Sequence, residues 1–331
     1  MSTFLFFLAA ALATTPAVRP PPAQVVGPRG VWAYQHDGGA YSTLAITASA
    51  AARTAALNTL AARSVRRFYG TYGDLPVTDP SRVGAWNADL HANGFESQLL
   101  LGEAHHLHAG ACRDELLDQV LDRLVAYHAV VTPEAAFDAV HLDIEPHAQN
   151  TTVSCDGPQP AWGSLGGADR AWRLLALYDT AVDVRALLDD AGEHEVRIEL
   201  DLPFWIDSSP TIDWTVLPAP FDSPEGWYGQ LALVADGITL MTYGTTDTTL
   251  IRARAAGEAA ATPPGFVRVA VNGKERYGGG GIVIWGSPAQ FWSAVANLET
   301  VSSAAAYEVD LFEYRAVFSP WWLRPVFPSM R

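Results

Sequence analysis

The run Ala139-Val140-His141-Leu142-Asp143-Ile144-Glu145-Pro146 sets one histidine and two carboxylates at alternate positions of an apolar strand pattern. Side chains on a strand alternate faces, so His141, Asp143 and Glu145 share one face while Val140, Leu142 and Ile144 fill the other. At a rise of roughly 3.3 Å per residue the carboxylates stand about 7 Å apart at Cα, where they can hold one proton between them or divide an acid role from a charge-stabilising one. Burying both without a use is costly. The bland alternative makes them structural ion-pair members with Arg66, Arg67 or Arg197, and His141 a hydrogen-bonded core residue. A second chemistry reads His141, Asp143, Glu145 and His147 as an H-x-D-x-E-x-H array that, with His105 or His106, would hold a divalent ion for metal-assisted hydrolysis. Strand spacing spreads such an array over about 13 Å, too far for one ion, so the expectation is no metal and no other cofactor. The cluster His105, His106 and His108 reads better as a solvated loop than as a ligand set.

These residues need a frame. Hydrophobic period and turn residues predict strands at Val31–Tyr34, Val65–Tyr69, Gln98–Leu101, Ala139–Ile144, Val196–Leu202, Gly237–Tyr243, Phe266–Val271 and Val309–Tyr314. Helical patterns lie between them at Ser49–Arg63, Pro80–Ala92, Arg113–Tyr127, Ala168–Ala191, a broken stretch within Trp214–Val234, Leu250–Glu258 and Pro288–Thr300. Ser287-Pro288 is an N-cap followed by a proline in the first turn. The alternation implies parallel strands with right-handed crossovers, and eight units imply an α/β fold, a single closed (β/α)8 TIM barrel over residues 30–331. A doubly wound sheet would want a glycine-rich phosphate loop after its first strand, and Gln35-His36-Asp37-Gly38-Gly39 is not one. Ile282-Val283-Ile284-Trp285 is either an added hairpin strand or the eighth strand itself, and a tail rich in Pro and Trp stands where a full last helix would be.

Active sites of such barrels lie at the C-terminal strand ends. Tyr34, Tyr69, His141, Asp201, Trp205, Met241, Glu313 and Tyr314 fall there and are expected to contact substrate. Aromatic faces beside carboxylates suit the apolar faces and hydroxyls of a sugar, so carbohydrate is the expected partner. A formal charge of −15 over 331 residues repels phosphate backbones and anionic membranes. The N-terminus, with Phe4-Leu5-Phe6-Phe7-Leu8 running into Ala9–Ala13, reads as an export signal over residues 1–17, followed by a proline-rich linker at 18–29. Its apolar core is too short to span a bilayer, so a secreted or periplasmic monomer without membrane attachment is expected. Cys112 and Cys155, the two cysteines, either pair or stay free in such a compartment.

Asp138-Ala139-Val140-His141-Leu142-Asp143-Ile144-Glu145 resembles the D-x-x-D-x-D-x-E signature of glycoside hydrolase family 18, the chitinase and endo-β-N-acetylglucosaminidase group, a barrel family with this signature on strand 4. Met241-Thr242-Tyr243 resembles the M-x-Y that the family carries on strand 6. The resemblance implies substrate-assisted hydrolysis of an N-acetylhexosamine glycan. Glu145 would be general acid and then base, Asp143 would hold the acetamido group and raise the Glu145 pKa, and Tyr243 would donate a hydrogen bond to the acetamido oxygen. Three departures accompany it. His141 stands where the family has its middle aspartate, and as a cation it would lower the Asp143 pKa. Gly244 follows the strand 6 tyrosine where an aspartate is usual. The tryptophan expected on strand 8 is available only as Trp285, if Ile282–Trp285 is that strand. A metal-dependent hydrolase and a glycan-binding barrel without catalysis remain the alternatives.

Overall fold

The computed structural model describes residues 29–36, 39–148, 160–273, 285, 287–299 and 307–312. Eight parallel strands close a barrel in chain order: β1 Arg29–Ala33, β2 Val65–Gly70, β3 Glu96–Leu101, β4 Ala139–Leu142, β5 Arg197–Pro203, β6 Gly237–Met241, β7 Val267–Asn272 and β8 Glu308–Phe312. β8 pairs with both β1 and β7, so the later of the two candidate eighth strands closes the barrel. Trp285 is therefore not a strand 8 residue. It packs edge-on against Phe291 and donates from Nε1 to Asn272 O at 2.9 Å. The segments expected as signal, linker, added hairpin (apart from Trp285) and tail, with Glu313 and Tyr314, lie outside the described residues.

The helices start where the sequence supplies caps. Ser49 Oγ accepts from Ala52 N at 3.2 Å at the head of Ala50–Ala61, and Ser287 Oγ accepts from Gln290 N at 3.1 Å at the head of Pro288–Glu299. Two helices differ from expectation. Ala111–Val120 passes into a π-turn at Leu121–Val125 before Ala126–His128, and the stretch after β6 is two short helices, Thr248–Arg254 and Ala256–Ala261. Among the described residues no helix is long and apolar enough to cross a membrane. Cys112 is disulfide-bonded; the one other cysteine, Cys155, lies outside the described residues.

Strand residues that face the helices form one continuous apolar core, including Val31, Phe68, Leu99, Val140, Leu142, Ile198, Leu200, Ile238, Val269 and Leu311. The barrel lumen is different. Many TIM barrels fill it with branched aliphatics, whereas here its lower and middle levels are ionic. Arg268 makes a bidentate pair with Glu199, at 2.5 and 2.9 Å. Arg197 contacts Glu96 and Glu199, and Arg67 contacts Glu308 and, at 3.1 Å, Asp310. Asp310 also accepts from Tyr69 OH at 3.0 Å and Thr239 Oγ1 at 2.7 Å. Gly30 leaves the room these groups need, since a Cβ there would sit 2.2 Å from the Tyr69 hydroxyl and 2.3 Å from Asp310. Above this level the lumen turns aromatic, with Trp32, Tyr69, Leu100, Ala270 and Phe312 forming a separate cluster against which Tyr34 and Tyr243 pack.

Candidate active site

β4 ends at Leu142, two residues earlier than the sequence pattern implies, so Asp143 and Glu145 stand just beyond the ladder. Asp143 N still donates to Leu101 O at 2.8 Å, which holds it in extended continuation of the strand. Next to it Gly102 adopts a φ of +123°, and a Cβ on Gly102 would lie 2.9 Å from Asp143 backbone atoms. Only glycine tolerates both the conformation and the approach. Both carboxylates are partly buried at the barrel mouth, and among the described residues neither is paired with a cation. The arginines proposed as structural partners are engaged elsewhere: Arg67 and Arg197 in the lumen, and Arg66 with Asn93 O and the Phe95 ring.

Burial raises the Asp143 pKa well above the ordinary carboxylate range, and the charges of Asp201, Glu145 and Glu103 add to it. Burial and then Asp201 push Glu145 up to about 7. Glu145 is thus raised, as the resemblance implies, with Asp201 as a carboxylate that adds to the effect of burial. Glu103, exposed on the turn after β3, is a third carboxylate of the mouth.

His141, Tyr69 and Asp201 are 0%, 0% and 2% exposed and form the floor under these carboxylates. His141 Nε2 lies 2.9 Å from Asp201 Oδ1, His141 Nδ1 lies 3.0 Å from Gln98 Oε1, and Trp32 Nε1 donates to Asp201 Oδ2 at 3.0 Å. The rings of Tyr69 and Trp32 pack on that of His141 at 4.3 and 5.8 Å between centroids. His141, Tyr69 and Asp201, expected to contact substrate, turn their polar atoms to partners in the lumen. The cationic His141 expected to lower Asp143 is directed to Asp201 instead, and Asp143 is raised.

Tyr243 is half-buried, tilted on Phe312 at 5.2 Å, and Tyr34 meets the same ring edge-on at 6.1 Å. Met241 is buried at the end of β6. Trp205 follows β5 and packs against Trp162 at 5.5 Å and against His147, two residues past Glu145, at 5.4 Å, making an aromatic wall; burial pushes His147 down to about 4. Trp32, Gln98 and Trp162 are further members of the floor and wall that the sequence reading passed over. Two surface cavities, about 450 Å³ beside Arg113 and Trp172 and about 650 Å³ beside Asp74 and Asp118, include neither Asp143 nor Glu145.

The proposed metal array does not assemble, since both nitrogens of His141 are engaged with Gln98 and Asp201. A different trio, His105, His106 and Glu115, brings ligand-type atoms within 4.8 Å of one another. Its chemistry fits a hydrogen-bonded cluster better. Glu103 N donates to His106 Nδ1 at 3.0 Å, which places the proton of the neutral ring on Nε2, the nitrogen that faces Glu115 at 4.0 Å. Burial and His105 push His106 down to about 4, so the ring is neutral at neutral pH.

No protein-family model and no curated protein matches the chain. Solved structures do match. The Bacillus megaterium QM B1551 spore cortex-lytic enzyme SleL is 11% identical with a TM-score of 0.46 over 88% of this chain and 62% of its own. The apo endo-β-N-acetylglucosaminidase from Cordyceps militaris is 11% identical with a TM-score of 0.45 over 86% and 80%. ScGas2, solved with compound 11, is 12% identical with a TM-score of 0.51 over 86% and 56%. The chain thus spans less than two thirds of SleL and of ScGas2. These likenesses are of fold: this chain is a single TIM barrel, similar to structures that include glycan-acting enzymes, at identities that leave the family open.

Proposed function

We propose that the protein is a glycoside hydrolase in which Glu145 is the proton donor, and then the base, for cleavage of a glycosidic bond. One observation carries the reading: Asp143 and Glu145, neither paired with a cation among the described residues, stand at the C-terminal mouth of the barrel, and burial with the Asp201 charge raises Glu145 to about 7, where a carboxyl can both give and take a proton near neutrality. Burial and the neighbouring carboxylates favour the protonated form of Asp143, which makes it a better hydrogen-bond donor than nucleophile. That favours a substrate carrying its own nucleophile, such as the acetamido group of an N-acetylhexosamine, with Asp143 and Tyr243 orienting it. The Trp205–Trp162 wall supplies an apolar face for a sugar ring. Export of a monomer belongs to the same proposal and rests on residues 1–17.

The test is hydrolysis of fluorogenic and polymeric glycans, N-acetylglucosamine oligomers included, by wild type and Glu145→Gln, each with and without EDTA. Turnover insensitive to EDTA and lost in Glu145→Gln supports the reading. Retained glycan binding without turnover in wild type indicates a binding barrel, and turnover abolished by EDTA a metal-dependent hydrolase.

A further inference from the structure

Gln98 sits in the lumen with its amide orientation fixed by its neighbours. Its Nε2 donates to Glu199 Oε2 at 2.9 Å and to Glu96. Arg268 and Arg197 hold Glu199 well below the usual carboxylate range against the effect of burial, so Glu199 can only accept. The amide oxygen must therefore be the atom that faces His141 Nδ1 at 3.0 Å, and that nitrogen must carry hydrogen. On the other side of the ring, Nε2 faces Asp201 Oδ1 at 2.9 Å, while Asp201 Oδ2 is occupied by the Trp32 N–H at 3.0 Å. Nε2 and Oδ1 meet at ion-pair distance without a directed hydrogen bond, so charge rather than a shared proton ties the ring to Asp201. Imidazole is the stronger base, and Glu199, whose Oε2 is 3.8 Å from Nδ1, adds attraction for a cation.

We propose that His141 is a fixed imidazolium and that its ion pair with Asp201 is a positioning device for the two carboxylates above it: His141 keeps Asp201 ionised, and the Asp201 charge keeps protons on Asp143 and Glu145. The kinetic half of this statement rests on the glycosidase reading; the protonation half does not. The groups that face His141 are Asp201 and Glu199 from β5 and the Tyr69 ring from β2, with Asp310 of β8 acting on it from further away. Burial disfavours the cation, and these carboxylates outweigh it, raising the His141 pKa; burial also raises Asp201, with His141 and the Trp32 N–H acting against that rise. The β4–β5 register pairs His141 with Glu199 and Leu142 with Leu200, which carries Asp143 to the level of Asp201 on the neighbouring strand; Asp201 acts on both Asp143 and Glu145, and Glu103 acts on Asp143 from the turn after β3. The cations of the lumen do not compete: Arg67 is bound to Asp310 and Glu308, and Arg268 to Glu199.

The experiment is ¹⁵N-histidine NMR of the full chain between pH 6 and 9, with His141→Gln to identify its signals among the nine histidines. Two protonated ring nitrogens with no titration across that range are expected. One unprotonated ring nitrogen at pH 7 would overturn the imidazolium. The second readout is the titration midpoint of Glu145 from ¹³C-carboxyl labelling, identified with Glu145→Gln, in wild type, His141→Gln and Asp201→Asn. Asp201→Asn keeps the histidine and so covers the case in which His141→Gln does not fold. Both variants are expected to lower the Glu145 midpoint by about one pH unit, a tenfold change in its protonation constant, and an unchanged midpoint would overturn the positioning role. Neither readout needs turnover. A wild type that cleaves no glycan yet shows both results would leave the ion pair in place and remove only the glycosidase reading.

Discussion

Gly102 and Asp143 touch through their backbones: with φ at +123°, Gly102 passes so close that a Cβ would come within 2.9 Å of Asp143 N, C and O. The turn after β3 thus fixes the height of the first carboxylate of the mouth. Gly102→Ala combines an unfavourable φ with a collision against backbone, which cannot swing aside as a flexible side chain can. The expected cost is about 1–3 kcal/mol in urea unfolding, with a fall in glycan turnover larger than the same destabilisation causes when introduced on an outer helix. Equal falls from both would show that the contact supports the fold and not the site.

Glu145 links activity to pH in a defined direction. As the acid it must hold its proton, so turnover is expected to fall as pH rises through about 7. Its folded pKa lies above the ordinary value of 4.5, so folding carries no penalty from this group in acid. A penalty builds as pH rises from about 4.5 to about 7 and is complete above that. Glu145→Gln removes the penalty. The variant is expected to lose turnover by about 10²–10⁴-fold while gaining on the order of 1 kcal/mol of stability at pH 8, discounted for partial exposure, and none at pH 4. Denaturant melts of both proteins at the two pH values measure it. A variant less stable than wild type at pH 8 would mean that Glu145 is held by contacts favouring its charged form.

Asp310 collects three donors, from Arg67, Tyr69 and Thr239, at a fully buried position. Asp310→Ala leaves a guanidinium and two hydroxyls facing an emptied space. The expected loss is about 3–5 kcal/mol, the cost of stranding a buried charge. Asp310→Asn preserves the shape and two acceptor positions on one oxygen and is expected to cost less than the alanine. Thermal and urea unfolding of the pair decide the matter, and equal losses would assign the effect to packing volume rather than to charge.

The barrel was legible because the eight apolar periods are separated by capped helices, with Ser49 and Ser287 as clear starts. The polar lumen was written just as openly, in the alternation Arg197-Ile198-Glu199-Leu200-Asp201 and in Arg268 and Asp310. Reading those strands for their apolar residues, and the polar ones singly as rim groups, hid it. What the sequence does not contain is which charges neutralise which across the barrel. Trp32 meets Asp201 over a separation of 169 residues, and Asp310 meets Thr239 over 71. That pairing depends on strand stagger, and it decides that His141 faces Asp201. Glu103 acts on Asp143 from the turn at Gly102 and not from any strand position, so strand alternation alone does not pair the two.

Tyr243 separates two roles that one residue can combine. Its ring packs on Phe312 at 5.2 Å within the aromatic layer over the lumen. Its hydroxyl is the group that would donate to the acetamido oxygen of a substrate. Tyr243→Phe keeps the ring and removes only the hydroxyl, so stability is expected to change by less than about 1 kcal/mol. Turnover of N-acetylated glycans is expected to fall by about 10–100-fold, the equivalent of one hydrogen bond made more strongly in the transition state than in the bound substrate. The fall should appear in kcat, with KM little changed. Steady-state kinetics on an N-acetylglucosamine oligomer, set beside a thermal melt of the same preparation, distinguish the roles. Unchanged kcat together with a lowered melting temperature would assign Tyr243 to the packing of the barrel top and take it out of the site.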